Sequence, residues 1–324
     1  MITFFSCPKP FYGHTNIIQR NAIKSWTYLR PTPEIILLGI DKGIAEICQE
    51  FGLRHIAEVE RNEYGTPLVN SIFEIGQRSA SRSVVCYVNS DIILTSNFMQ
   101  AVESVTAKMI KFLILGQRFD IDINKLMNFE SAEWEKDIRG VLAQKGKLHP
   151  PEGIDFFCFP KGMYTDIPPF AIGRFAWDNW LVWQAWAKGA AIVDLTDAVP
   201  VIHQNHEYSV STIRKYGGQK SEGTIHGYEL RKIQLNGEWF DIGPEVRRNK
   251  SLLQDGEYLN VWGATWMIDK KGKLKRRRLK LKLSYLLYQL KVIVPLYSPA
   301  FGKLVRWITD KKSVLLKSTR MYLF

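Results

Sequence analysis

The chain has only four cysteines in 324 residues, Cys7, Cys48, Cys86 and Cys158, and they stand far apart. Three of them lie inside apolar runs, so a disulfide framework is not expected and reduced core thiols are, as in a cytoplasmic protein. The N-terminal residues Ile2-Thr3-Phe4-Phe5 lack a basic n-region and a small-residue cleavage site. They read as a first strand, and export by a signal peptide is not expected. A membrane span is missing too: the most apolar part of the C-terminal region is interrupted by Lys291 and Pro295, short of the ~20 apolar residues required. There is no internal repeat. A composition of 46% hydrophobic and 23% charged residues leaves a globular chain that can bury a sizeable core in one large domain or two small ones.

Positive charge is plentiful, and it is unevenly placed. Residues 270–324 hold 16 Lys and Arg against the single acid Asp310, a net of +15, so the formal total of +12 leaves −3 for residues 1–269. The body is slightly acidic and the tail basic, which assigns attraction to a polyanionic surface to the tail alone.

From the N-terminus, apolar runs of strand length alternate with segments of helical period, the pattern of βαβ units. Strands are predicted at Ile2–Ser6, Ile35–Ile40 and Leu53–Val59, and along the apolar run Val84-Val85-Cys86-Tyr87 that closes in Val88-Asn89-Ser90-Asp91. Between them, Ile18, Ala22, Trp26 and Leu29 form one helical face, Ile44, Ile47, Cys48 and Phe51 a second, and Leu68–Gln77 a third helix. Past this point the alternation loosens. Strands are expected at Lys111–Gly116, Ile154–Pro160 and Ala190–Leu195, with a further segment at Ala198–Ile202. Helices are expected at Phe129–Gln144 and, rich in Trp, from Trp177 to about Ala187. Residues 207–268 are turn-rich, with Gly217-Gly218, Asn236-Gly237 and Asp255-Gly256 as hairpin or loop signals.

The fourth strand runs into Asn89-Ser90-Asp91. In an open parallel sheet, ligands collect at the carboxyl ends of strands, and Asn89 and Asp91 would point the same way if strand geometry continued through them. The same triplet is also ordinary turn chemistry. Further on stand Pro168-Pro169-Phe170-Ala171-Ile172-Gly173-Arg174, then Trp177-Asp178-Asn179-Trp180, then His203-Gln204-Asn205-His206.

In combination these strings resemble the GT-A-fold, nucleotide-sugar-dependent glycosyltransferases, a glycosyltransferase family 2-like group, over roughly residues 1–255. The resemblance implies an α/β fold with a Rossmann-like mixed central sheet flanked by helices. It divides the chain into a catalytic core at 1–206, an extension at 207–268 that completes the active site, and a basic helical tail at 269–324. The activity it implies is transfer of a sugar from a nucleoside-diphosphate donor to an acceptor hydroxyl, assisted by Mn2+ or Mg2+. Such chemistry needs positive charge beside the departing diphosphate.

Position by position, Asn89-Ser90-Asp91 occupies the place of the family's Asp-x-Asp motif, with an amide in the first slot. Asp91 inherits the metal role, and Asn89 contacts the ribose or holds the loop. His203 is the implied further metal ligand and His206 its rival, otherwise a substrate contact. The reading outside the family is a histidine bonding a loop carbonyl or an acceptor hydroxyl. Asp178, at the first turn of the Trp-rich helix, is the implied base, with a plain helix cap as the bland alternative. Gly173, Arg174, Trp177 and Asn179 are expected on the substrate side, a small residue, a cation and an aromatic plane suiting a sugar or phosphate. Asp41 is placed to contact the nucleoside or to cap the helix beginning near Gly43, and Asn70 and Arg118 face the nucleotide by position.

Two other readings compete. A nucleotidyltransferase usually carries a Gly-rich phosphate loop after the first strand, which Ser6-Cys7-Pro8-Lys9-Pro10-Phe11 does not supply. A non-catalytic sugar- or nucleotide-binding protein of the same fold fits the amide at Asn89. In the tail, Leu279, Leu283, Leu286, Leu287, Leu290 and Val294 keep a helical period beside Lys275, Arg278, Lys282 and Lys291. This suits an amphipathic helix on an anionic membrane, at about 1 kcal/mol per near-surface cation, or a helix packed on the body. A cytoplasmic enzyme, peripheral on the inner membrane face and acting on a glycan, lipid or small-molecule acceptor, is the expectation. Lys271 to Arg278 has no base-reading module beside it, which disfavours nucleic acid.

Overall fold

The computed structural model describes residues 1–174, 177–206, 244–254 and 256–277, with the backbone of 220–224, 229–235 and 238–241. Residues 1–276 form one compact unit. The tail helix expected beyond residue 277, and the turn signals at Gly217-Gly218 and Asp255, lie outside the described residues.

The first half follows the predicted alternation: β1 (Ile2–Ser6), α1 (Gly13–Thr27), β2 (Glu34–Leu38), α2 (Ile44–Phe51), β3 (Arg54–Ile56), α3 (Val69–Ser79) and β4 (Val84–Val88). Then come β5 (Ile92–Ile93), α4 (Asn97–Thr106), β6 (Phe112–Leu115), β7 (Arg118–Ile121), α5 (Trp134–Lys145), β8 (Lys147–Leu148) and β9 (Phe156–Pro160). The Trp-rich helix is α6 (Trp177–Ala187), followed by β10 (Ala191–Asp194) and β11 (Val201–Gln204). β12 (Lys220–Thr224), β13 (Glu229–Leu235) and β14 (Glu238–Asp241) make a separate antiparallel sheet, β13 and β14 flanking Asn236-Gly237. Helix α7 (Pro244–Ser251), β15 (Trp266–Ile268) and β16 (Leu274–Arg276) complete the described chain.

Nine strands form the central sheet in the order β3-β2-β1-β4-β9-β6-β10-β15-β16. It is mostly parallel, with β9 antiparallel between β4 and β6 and β16 antiparallel at one edge. The mixed central sheet flanked by helices is therefore present as expected. Burial on both faces explains why these strands read as continuous apolar runs and not as alternations. In β1, Phe4 packs with Trp26 of α1, Ile47 of α2 and Phe98 of α4, whereas the next residue, Phe5, packs on the opposite face with Phe73 of α3 and, through that cluster, Leu181 of α6. Helix α4 was not read in the sequence, although Phe98, Val102 and Val105 sit at i, i+4 and i+7 and are all buried.

A second, four-stranded sheet, β5-β11-β7-β8, stands beside the first. Its register sets His203 of β11 opposite Asp120 of β7 on one side and Ile92 of β5, the residue after Asp91, on the other. β5, β7 and β8 escaped the sequence reading because two to four residues carry too little periodicity, whereas β11 was anticipated by the segment Ala198–Ile202 and runs on to include His203.

Two boundaries move. The second strand ends at Leu38, not Ile40, because Gly39 takes the left-handed region at φ 110° and turns the chain. The basic tail does not begin at residue 269: Asp269 accepts the N–H groups of Lys271 and Lys273, Gly272 adopts φ 73°, and the resulting turn joins β15 to β16 at the sheet edge.

Gly76 on α3 lies directly over Phe5, and a Cβ there would fall on the ring. Gly76→Ala gains up to about 1 kcal/mol of helix propensity but overpacks a closed contact at a cost of roughly 1–3 kcal/mol. The expected outcome is a net loss of stability in urea unfolding; a gain would mean that the helix can lift off β1 freely.

Candidate active site

The carboxyl ends of the parallel strands β1, β2 and β4 lie at one edge of the central sheet, where a parallel sheet forms its ligand crevice. After β4 the chain turns at once, with the Ile92 N–H bonding the Asn89 carbonyl at 3.1 Å. The turn sends Asn89 and Asp91 different ways, so the expectation that they point together is corrected. Asn89 accepts the Tyr87 hydroxyl at 2.9 Å and donates to Asp155 Oδ1 at 2.6 Å. Its amide is spent holding the loop, the second of the two roles expected of it.

Asp91 meets both histidines. His206 Nε2 lies 3.1 Å and His203 Nε2 3.8 Å from Asp91 Oδ2, and ligand atoms of the three residues all fall within 4.8 Å of one another. Asp91 Oδ1 is buried without a hydrogen-bond partner. An orphaned carboxylate oxygen beside two imidazoles is costly in the absence of a cation and natural with one. His203, 1% exposed, places Nδ1 3.0 Å from Asp120 Oδ1. The carboxylate can only accept, so the Nδ1 proton is fixed there and the Nε2 lone pair is turned toward Asp91. This carboxylate–histidine pairing is the usual support of a metal-bound imidazole. His206, expected either as a substrate contact or as a rival ligand, lies with Asp91 and His203 in one cluster of side chains that could hold a metal ion.

The charges are arranged for ligation. Burial alone would raise the Asp91 carboxyl, but the His206 bond and the nearby His203 and Lys9 outweigh it and hold the group well below the usual carboxylate range. Burial lowers His206 more than Asp91 raises it, so its imidazole is neutral at neutral pH, the form that binds metal. Asp120 is likewise held low: its burial is overcome by the bonds to His149 and His203 and by Arg118.

Arg118 departs from its expected place at the nucleotide. It is 6% exposed and reaches Asp155 Oδ2 at 2.8 Å and Asp120 Oδ1 at 3.0 Å, so its guanidinium braces two carboxylates under the site. Trp177 is corrected as well. Its ring is buried edge-on to Tyr87, with centroids 5.6 Å apart, and forms core in place of an open plane for a sugar. Asn179 is buried, and its amide donates to the Leu259 carbonyl at 3.0 Å, tying α6 to the 256–260 segment.

Asp178 stands at the first turn of α6, where it accepts its neighbour Asn179 N–H at 2.9 Å. Burial pushes its carboxyl up from 3.8 to about 7, with Asp155 adding to the rise. Gly173 has φ 69° with open space where a side chain would go, and Arg174 pairs with Glu245 at 2.7 Å. Asp41 lies at the end of β2, where Arg61 holds it at 2.6 Å; it does not cap α2, whose N-cap is Gly43. Asn70 begins α3 with its Oδ1 buried and unpartnered.

Sequence reasoning passed over Asp120, Asp155 and Lys9. The signals were slight: Asp120 follows Arg118 at period two, Asp155 immediately precedes the apolar run of β9, and Lys9 is the lone cation after β1.

No protein-family model matches the chain, and no curated protein matches it. Among solved structures it is similar to a mannosyltransferase from Pyrobaculum calidifontis in complex with GDP-Man and Mn2+, at TM-score 0.42 and 14% identity over 66% of this chain and 60% of that one. It is similar to S. aureus TarS 1–349 at TM-score 0.42 and 12% identity, over 66% and 64%. A third similar structure is glucosyl-3-phosphoglycerate synthase from Mycobacterium tuberculosis in complex with Mn2+, UDP and phosphoglyceric acid, at TM-score 0.42 and 13% identity, over 76% and 90%. The chain spans less than two thirds of the length of the first two. None of these likenesses bears on the chemistry of the site, which stands on its own geometry.

Replacing Asp120 by Asn keeps the shape but frees the His203 tautomer. Such support residues are worth roughly 10–100-fold in metal affinity, so Asp120→Asn should weaken Mn2+ binding by that factor in an electron-paramagnetic-resonance titration. Unchanged affinity would remove His203 from the ligand set.

Proposed function

We propose that the chain is a metal-assisted glycosyltransferase that moves a sugar, hexosyl or related, from a nucleoside-diphosphate donor onto an acceptor hydroxyl. The observation that carries this reading is the convergence of Asp91, His203 and His206 at the carboxyl end of β4, with the raised carboxyl of Asp178 within electrostatic reach of Asp155 and Arg118, which brace the loop that carries Asp91. Asp91, His203 and His206 hold the divalent cation. Two imidazoles beside one carboxylate favour a first-row transition cation such as Mn2+ over Mg2+, which prefers oxygen donors. The cation offsets the negative charge that grows on the departing diphosphate.

The protein's own groups do the rest. Asp178 takes the proton from the acceptor hydroxyl as that oxygen attacks the anomeric carbon. A carboxyl near 7 is well matched to this task at neutral pH, being ionised often enough to act and basic enough to gain from protonation. Asp41 and Asn70 border the donor side, and Gly173 and Arg174 the acceptor side. The acceptor is a glycan, lipid or small molecule. Among the described residues no helix is long and apolar enough to cross a membrane; residues 270–324 would supply peripheral attachment to the inner face of a membrane in the cytoplasm.

The rival reading, a binding protein without catalysis, is favoured by Asn89, which contributes no ligand. Donor hydrolysis dependent on Mn2+ separates the two. A thermal-shift panel of nucleotide sugars should give stabilisation that needs Mn2+, by mass action on the native state. Asp91→Asn should lose that shift. Asp178→Asn should keep it while transfer disappears, and normal transfer by that variant would overturn the base assignment.

The pH dependence follows from the same group. Because the folded carboxyl is raised from 3.8 to about 7, Asp178 favours the folded state fully below the lower value, and that contribution is lost as pH rises through about 7. Asp178→Asn should therefore melt increasingly above the wild type from pH 4 to pH 7 and hold a constant advantage beyond. The wild-type transfer rate should climb through pH 7. A melting difference that is independent of pH would mean that Asp178 titrates as an ordinary surface acid.

A further inference from the structure

Of the cationic side chains beside the loops of the candidate site, Arg61 is held by Asp41, Arg118 by Asp120 and Asp155, and Arg174 by Glu245. Lys9 is exposed, and its ammonium has no carboxylate or hydrogen-bond partner among the described residues. It nevertheless lies within the electrostatic reach of Asp91, Asp155 and Arg174 together.

The base of this side chain is not left to chance. Gln19, 2% exposed, accepts the Lys9 N–H at 2.7 Å and donates to the Lys9 carbonyl at 2.8 Å. The same Gln19 Oε1 accepts the hydroxyl of Ser90 at 3.0 Å. One buried amide thus ties the backbone of Lys9 to the residue preceding Asp91, while the charged end of the side chain stays uncommitted. A lysine held at its root and unpaired at its tip, beside a carboxylate-bound cation, has the geometry of a phosphate ligand.

We infer that Lys9 is a second positive charge for the donor diphosphate, contacting a phosphate oxygen beside the metal-ligand loop independently of the metal. This rests on the transferase reading above. A departing nucleoside diphosphate carries more negative charge than one divalent cation offsets, and Lys9 supplies the remainder from the β1 side of the crevice.

The test is calorimetric titration of the full chain with UDP, GDP, ADP, CDP and dTDP, each with Mn2+ and again with EDTA, for the wild type, Lys9→Gln and Lys9→Arg. A charge-assisted contact implies a roughly 10–100-fold weaker affinity for Lys9→Gln under both conditions, with most of it restored in Lys9→Arg. Mn2+ affinity and melting temperature should be unchanged. Equal affinity of Lys9→Gln and wild type overturns the inference, as does a loss confined to the Mn2+ series, because Lys9 would then act through the metal loop. Failure of the wild type to bind any of the five diphosphates would instead overturn the transferase reading itself.

Discussion

The carboxylate of Asp120 is the point on which the site depends. It lies on β7 and receives His203 and the Nε of Arg118 on one oxygen and His149 on the other. Those contacts join β7, β11 and the 149–155 segment, and the last of these leads through Asp155 back to Asn89 and β4. The small sheet is consequently more than a satellite of the large one. Its register puts His203 opposite Asp120, and only with that pairing does a histidine ring, fully buried, turn its second nitrogen toward Asp91. A one-residue slip of β11 would send His203 to the other face, since strand side chains alternate.

The electrostatics of the crevice follow from how its four carboxylates share too few cations. Arg118 serves Asp120 and Asp155, and the histidines serve Asp91. Asp178 accepts a backbone N–H and feels Asp155 as a like charge, with Arg118 acting weakly against it. Its carboxyl rises chiefly because it is buried. The same arrangement separates the two jobs a transferase needs: a carboxylate kept ionised to hold a cation, and another kept close to neutrality to exchange a proton. Environment, not residue type, distinguishes Asp91 from Asp178.

Much of the large sheet was legible in the sequence because its strands are buried on both faces and its helices carry a clear apolar face; Ile2–Ser6 and the Ile44, Ile47, Cys48 face are cases where periodicity alone suffices. The small sheet was legible only in β11, through the segment Ala198–Ile202. β5 and β8 are two residues each, and their pairing partners are distant in sequence, so neither propensity nor period reports them. The site divides the same way. Asp91, His203 and His206 were singled out because they occur in strings with a recognisable resemblance, and the structure brings the three side chains near one another. Trp177 and Arg118 were assigned by proximity in the chain to such strings, but side-chain direction, which a sequence does not display, carries one into the core and the other beneath the carboxylates.

Asn89 shows how far one substitution can be followed. An acid at this position would stand against Asp155 and would need a cation of its own; an amide can accept from Tyr87 and donate to Asp155 at once, closing a chain from the core of β4 to Arg118. The change therefore exchanges a possible metal ligand for rigidity of the loop that carries the remaining one. On the proposed reading a cation would bind Asp91 with two imidazoles, a donor set softer than paired carboxylates and less negative by one unit. Such a site would hold a metal by directional nitrogen donors anchored from behind, so its affinity would depend on the buried partners of those nitrogens as much as on the ligands themselves. That dependence returns the argument to Asp120, a residue that touches neither metal nor substrate and yet determines which lone pair His203 can offer.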